Sequence, residues 1–253
     1  MAFGPDNKFQ LRTGTMSGTE AAAHDIDAGL REYMLRVYNY MASGLALTGI
    51  VAFGTANTPA LLSLFYAASP QGFLQPTMLA YIAMFSPLAF VLALSFGINK
   101  MSPSMAQGVF WAFAGVMGLS LSHIFLSYTG TSIARVFFIT SGTFAGMSLY
   151  GYTTKRDLTG LGSFMFMGLI GIIIASIVNM FLQSSAMQFV ISVVGVLVFV
   201  GLTAYDTQKI KLMYAEADGA GVATKKAIMG ALTLYLDFIN LFLMLLRLFG
   251  DRR

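Results

Sequence analysis

Apolar residues along this chain gather into seven long runs, near 35–56, 77–98, 106–128, 131–151, 162–182, 188–205 and 228–249. A helix rises 1.5 Å per residue, so about 20 apolar residues cross the ~30 Å hydrocarbon core of a bilayer. Backbone groups in hydrocarbon have no water to bond, which favours helices, where every such bond is internal. The pattern therefore predicts an all-α integral membrane protein with seven transmembrane helices. Runs three and four are parted only by Tyr128-Thr129-Gly130-Thr131, a tight hairpin that makes them antiparallel. Residues 1–34 read as a flexible cytoplasmic tail, with 28–40 an interfacial helix leading into the first span and no signal-peptide core. Residues 35–253 read as one seven-helix domain. The connection 209–227 is rich in Ala, Gly and charge, and predicts that helix six runs on past the membrane and breaks at 219–221.

Polar residues inside the runs keep helical spacing. Thr233, Asp237, Asn240 and Arg247 fall at i, i+4, i+7 and i+14; Ser176, Asn179 and Gln183, and likewise Ser120, His123 and Ser127, fall at i, i+3 and i+7. Each set shares one helix face, and such a face should look inward, since lipid cannot satisfy it. The three stripes predict a polar interior, either a path or a closed hydrogen-bonded core. Glycines at 142 and 146, 115 and 118, and 168 and 171 are read as helix-packing positions, where small side chains let backbones approach.

Composition sharpens this picture. The chain is 57% hydrophobic and only 10% charged, against roughly 25% charged in a soluble domain; an ordinary soluble fold and a disordered chain are both excluded. The basic excess does not point to nucleic acid. Lys100, Lys155, Arg156, Lys209, Lys211, Lys225 and Lys226 all fall in alternate connections, and the tail adds Lys8, Arg12, Arg31 and Arg36, while 57–76, 129–130 and 183–187 hold no Lys or Arg. This is the positive-inside asymmetry, with the N-terminus cytoplasmic. Arg252 and Arg253 stand against it: either the seventh run crosses fully and leaves them outside, which its length favours, or it is re-entrant. With no cysteine, disulfides and cysteine–metal sites are excluded.

Two aspartates carry the candidate chemistry. Asp237 lies about ten residues into the seventh run, ~15 Å deep, and an acid at such depth needs a partner or a purpose. Asp206 lies three residues before Lys209, near the inner surface. The bland readings are a hydrogen-bonded structural acid and an interfacial carboxylate. If the two antiparallel spans bring them together, the carboxyls cannot both ionise cheaply and share a proton; the pair then switches with pH or holds a hard cation such as calcium through its oxygens. Candidate supporting polar residues are Thr203, Thr233, Asn240, Arg135 and His123. Arg135 is expected to snorkel to the outer surface and His123 to be a packing residue rather than a proton relay. No His-Glu-x-x-His, P-loop or Ser–His–Asp grouping occurs, so no catalytic residue, enzyme activity or cofactor is expected.

Three segments resemble a known family. Gly201-Leu202-Thr203-Ala204-Tyr205-Asp206-Thr207-Gln208-Lys209 closes span six, Ala231-Leu232-Thr233-Leu234-Tyr235-Leu236-Asp237-Phe238-Ile239-Asn240-Leu241-Phe242 lies in span seven, and Ser148 to Leu158 follows span four. From about Arg36 onward the chain is similar to the Bax inhibitor-1, or transmembrane Bax inhibitor motif, family in its bacterial style. The resemblance implies a seven-helix fold with the last helix surrounded by the other six, in a bacterial inner membrane. It also implies a pH-sensitive calcium leak whose sensor and gate are an aspartate pair matching Asp206 and Asp237. The resemblance to better-known members also implies an arginine on the second helix that latches the pair; here 77–98 holds no charged residue, a departure that puts the latch in question. Other bacterial relatives resemble modulators of a membrane-bound ATP-dependent protease, so a membrane interaction protein that transports nothing is the alternative.

Overall fold

Helix starts follow capping chemistry. Thr77, Ser102, Thr129 and Ser184 each turn a side-chain oxygen onto a backbone N–H three residues on, from Ala80, Met105, Ser132 and Met187 respectively, satisfying donors that a helix start otherwise leaves orphaned. The structure, a computed structural model, describes residues 18–68 and 74–253. Its helices are α1 (Gly18–Asn57), α2 (Pro59–Phe65), α3 (Met78–Gly97), α4 (Pro103–Leu121), α5 (His123–Ser127), α6 (Gly130–Thr153), α7 (Thr159–Leu182), α8 (Ser185–Leu212) and α9 (Ala220–Phe249). Seven segments are long and apolar enough to cross a membrane: α1 from Ala28, α3, α4 with α5, α6, α7, α8 and α9. Residues 1–17 of the expected tail lie outside the described residues; within the rest of it, α1 is continuous from Gly18, and position 34 marks no end of helix. A short antiparallel hairpin, β1 (Tyr66–Ala68) with β2 (Leu74–Pro76), pairs Tyr66 with Pro76 and Ala68 with Leu74 between α2 and α3, a feature absent from the sequence reading.

The last helix is the core of the bundle. Helix α9 packs against α8, α1, α6, α4 and, more lightly, α3, while α7 packs on α8 instead. Tyr235, Leu234 and Leu241 of α9 are fully buried. The opposite extreme is α7, the most apolar span, where only Gly162, Ile172 and Asn179 are buried. Phe96 of α3 and Phe181 of α7 are each 80% exposed; such side chains face lipid in a bilayer, where apolar exposure carries no penalty.

Close helix approaches fall at fewer glycines than the spacing suggests. A Cβ on Gly151 would stand 2.2 Å from the Ala204 carbonyl oxygen, and one on Gly118 2.7 Å from that of Thr48, so α6 meets α8 and α1 meets α4 backbone to backbone. A Cβ on Gly142, Gly146, Gly115 or Gly171 would meet no atom of another helix within 4 Å. The 142/146 pair therefore packs nothing within the chain, contrary to expectation, because that face of α6 points out of the bundle.

Helix α9 crosses fully. Its continuation returns to the turn between α5 and α6: the Thr129 N–H donates to the Asp251 carbonyl at 3.0 Å, the Arg253 N–H to the Ser127 carbonyl at 3.1 Å, and Arg135 pairs with Asp251 at 2.6 Å. Arg252 and Arg253 thus lie at the end of the bundle opposite the lysine-rich connections, and the re-entrant alternative is excluded.

Candidate functional site

The α8–α9 pairing is antiparallel with a steady register. Gly195 faces Met244, Asp206 faces Asp237, and Ile210 faces Gly230. This register, and not nearness in sequence, brings the two acids within hydrogen-bonding reach of each other. Asp237 is 5% exposed, and its Oδ2 has no hydrogen-bond donor among the described residues. An ionised carboxylate can only accept, so the facing carboxyl satisfies that oxygen only when it carries a proton.

The pair lies at the wall of a cavity of about 970 Å³ between α3, α4, α7, α8 and α9. Thr233 and Asn240 from α9, Ser163 from α7 and Lys209 from α8 also border it, whereas Pro87, Leu88 and Val91 from α3 present apolar surface opposite the acids. Asn240 donates its Nδ2 to the Leu236 carbonyl at 2.8 Å, so its Oδ1 remains an acceptor. The oxygens of Asp206, Asp237, Asn240 and Thr233 form a polar strip on an otherwise greasy wall. Among the described residues no three His, Cys, Asp or Glu side chains gather as a metal site. Two carboxylates with neutral oxygens fall short of the six to eight ligands calcium takes, so a cation here would keep part of its water shell.

Beyond Asn240 the strip is interrupted. Met244 lies over Gly195, its Cγ and Sδ 2.8 Å from where a Cβ at 195 would stand. Three residues farther along α9, Arg247 borders a second polar cavity at the far end.

The other sequence candidates lie elsewhere. Thr203 is fully buried and donates to the Phe199 carbonyl at 2.7 Å, back along its own helix. His123 starts α5 with Nδ1 2.9 Å from the Ser120 carbonyl oxygen, and Arg135 is taken up by Asp251; neither borders the acid cavity. Of the three polar stripes only that of α9 lines it. On α7, Ser176 is exposed and Asn179 holds the α7–α8 turn by accepting from the Ser184 N–H at 3.0 Å. The sequence reading passed over Lys209 and Ser163 as site residues. For Lys209 a signal existed, since i+3 from Asp206 is the same helix face; Ser163 comes from a different helix and carried none.

The model for the family described as "inhibitor of apoptosis-promoting Bax1" matches residues 30–253. The chain belongs to the Bax inhibitor-1 family. Among its relatives, an uncharacterized protein of Rickettsia prowazekii is 53% identical over 90% of this chain and 92% of its own length. The inner membrane protein YbhL of Escherichia coli is 49% identical over 89% of this chain and 94% of its own. An uncharacterized protein of Caulobacter vibrioides is 45% identical over 98% and 99%. As a Bax inhibitor-1 member the chain is an integral membrane protein; among the described residues bordering the pair's cavity, the cation is Lys209, on the helix of Asp206.

Proposed function

We propose that this protein is a leak pathway for cations, calcium first, in a bacterial inner membrane, with its lysine-rich end in the cytoplasm and the Asp206–Asp237 pair as its pH-sensitive gate. The observation that carries the reading is a buried acid, Asp237, with an oxygen that has no donor, beside a second acid at the wall of a cavity. A purely structural acid is expected to be fully hydrogen-bonded. An acid pair that holds one proton is satisfied when that proton is present and mutually repelling when it leaves, so proton loss favours a cation entering or the helices parting. Either event acts on α9, and the Met244–Gly195 contact on the same pair of helices is the closure that has to yield for an ion to pass.

Calcium entry into proteoliposomes at pH 6, 7 and 8 tests this. Wild type is expected to show flux that changes with pH, and Asp206→Asn with Asp237→Asn a flux that does not. Unchanged pH-dependent flux in the double variant overturns the gate. Absence of flux from folded wild-type protein overturns the leak and turns the reading to the alternative, a membrane protein that modulates a protease or stress pathway. The connection between α8 and α9, 213–219, which that alternative would use, is tied down by Lys226, which bonds Asp218 at 2.5 Å and the Met213 carbonyl at 3.0 Å.

A further inference from the structure

The second cavity on this face of α9 has chemistry of its own. It lies ten residues beyond Asp237, about 15 Å along the helix, between the α7–α8 turn and the end of α9, with a volume of about 510 Å³. Arg247, Arg252, Gln183, Ser184, Ser185 and Gln188 border it. Neither arginine pairs with a carboxylate: the ion pairs among the described residues are Arg36–Glu32, Arg135–Asp251 and Lys226–Asp218. Asp251, the acid at this end, is engaged by Arg135, and the Arg252 guanidinium stands 6.0 Å from the centre of the Tyr128 ring. Arg135, Arg247, Arg252 and Arg253 therefore face a single acid at the end that the lysine asymmetry predicts to be outward, the reverse of the usual distribution.

The neutral groups around the cavity are also arranged as donors. Ser184 Oγ accepts from the Met187 N–H at 3.3 Å, which leaves its own proton to give. Asn179, 8% exposed, directs its Nδ2 to Gln188 Oε1 at 3.4 Å, leaving the Gln188 amide NH₂ as a further donor. Two guanidinium groups, an amide and hydroxyls without a carboxylate suit an oxyanion, and the planar guanidinium fork matches two oxygens of a phosphate better than a point charge does. Met180 and Phe189 at the rim are 67% and 62% exposed, as suits an acyl chain running from the cavity into lipid.

We propose that this cavity binds a phosphate group, carried by an anionic phospholipid or by a soluble phosphate. The site stands whether or not the acid pair conducts cations. Native mass spectrometry of the full-length protein with dioleoyl-phosphatidylglycerol, set against an uncharged glucosyl-diacylglycerol, and calorimetry with inorganic phosphate test it. Wild type is expected to retain the anionic lipid at least tenfold better than the uncharged one. Arg247→Gln and Arg252→Gln each weaken that retention fivefold or more, Arg247→Lys less, and Arg36→Gln at the other end not at all. Inorganic phosphate that binds with the same arginine dependence and displaces the lipid identifies the soluble source and supports the site; lipid retention without a phosphate response identifies the headgroup. Equal retention of both lipids with no phosphate binding overturns the proposal. So does anionic-lipid retention untouched by Arg252→Gln and Arg247→Lys in protein that remains folded and monodisperse.

Discussion

Tyr235 and Asp237 are two residues apart on the central helix and turn to different sides of it, where they meet opposite kinds of neighbourhood. On one side Thr48 donates to the Ala114 carbonyl at 2.8 Å, so the Tyr235 hydroxyl, 2.6 Å away, donates to Thr48. Farther back along α1, Tyr38, Ser148 and Thr207 form a hydroxyl chain with contacts of 2.6 and 3.0 Å that ties α1 to α6 and α8. These groups are neutral and mutually satisfied, packed where backbones approach as closely as at Gly151. On the other side Asp237 keeps an oxygen without a donor and faces an acid and a cavity. The polar groups on the first side are completed by their neighbours; Asp237 is not, nor is the buried Tyr33 hydroxyl elsewhere in the bundle, and it is at the acid pair that the proposed function has a proton or an ion take part.

The largest effect is expected where the two sides differ in space. Gly151→Val puts side-chain atoms where the Ala204 carbonyl lies 2.2 Å from even a Cβ and should destabilise by more than the ~1–3 kcal/mol of ordinary overpacking. Gly142→Val, with nothing within 4 Å, should change stability by less than about 0.5 kcal/mol. Thermal unfolding in detergent followed by size-exclusion recovery checks both, and equal behaviour would erase the distinction between the closed and open faces of α6. Next in size, Tyr235→Phe removes the donor to Thr48 and should lower stability by about 1 kcal/mol while leaving the pH response of calcium flux intact. Asp237→Asn should do the converse, removing the pH response with little loss of stability; a pH response abolished by Tyr235→Phe would break the division.

The smallest effect concerns an acid outside the pair, in the connection between α6 and α7. The Thr159 side chain first, and then the Thr159 N–H, which Asp157 Oδ1 accepts at 2.9 Å, hold its carboxyl below the ordinary carboxylate range. A group lowered on folding contributes stability above its unfolded value and loses it as pH falls through the folded one. Asp157→Ala should therefore cost a little stability at neutral pH and nothing in strong acid. A deficit that persists in acid would assign its effect to something other than the carboxylate.

Span number and hairpin order were legible because run length and loop charge are local properties. Both acids were legible too, as charges in apolar runs, and so was the α9 stripe of Thr233, Asp237 and Asn240. What lay beyond the sequence is set by rotation of helices about their axes. Gly142 and Gly146 have the spacing of a packing motif, yet their face of α6 points away from the bundle. Ser176 keeps step with Asn179 and is exposed all the same. The register that pairs 206 with 237 depends on α8 and α9 together, and nothing in either helix alone states it. The placement of α9 at the centre came from family resemblance, since α7 is the more apolar span and by hydropathy alone would be the one assigned to the interior.

The helix that forms the core is also the seventh of the seven spans to leave the ribosome. Six spans must therefore enter the bilayer and wait beside one another before the segment that organises them arrives, and a nascent chain halted before α9 has neither an interior nor an acid pair. The pairing of Asp206 with Asp237 therefore waits on α9, and the proposed gate exists only once that helix has packed among the others.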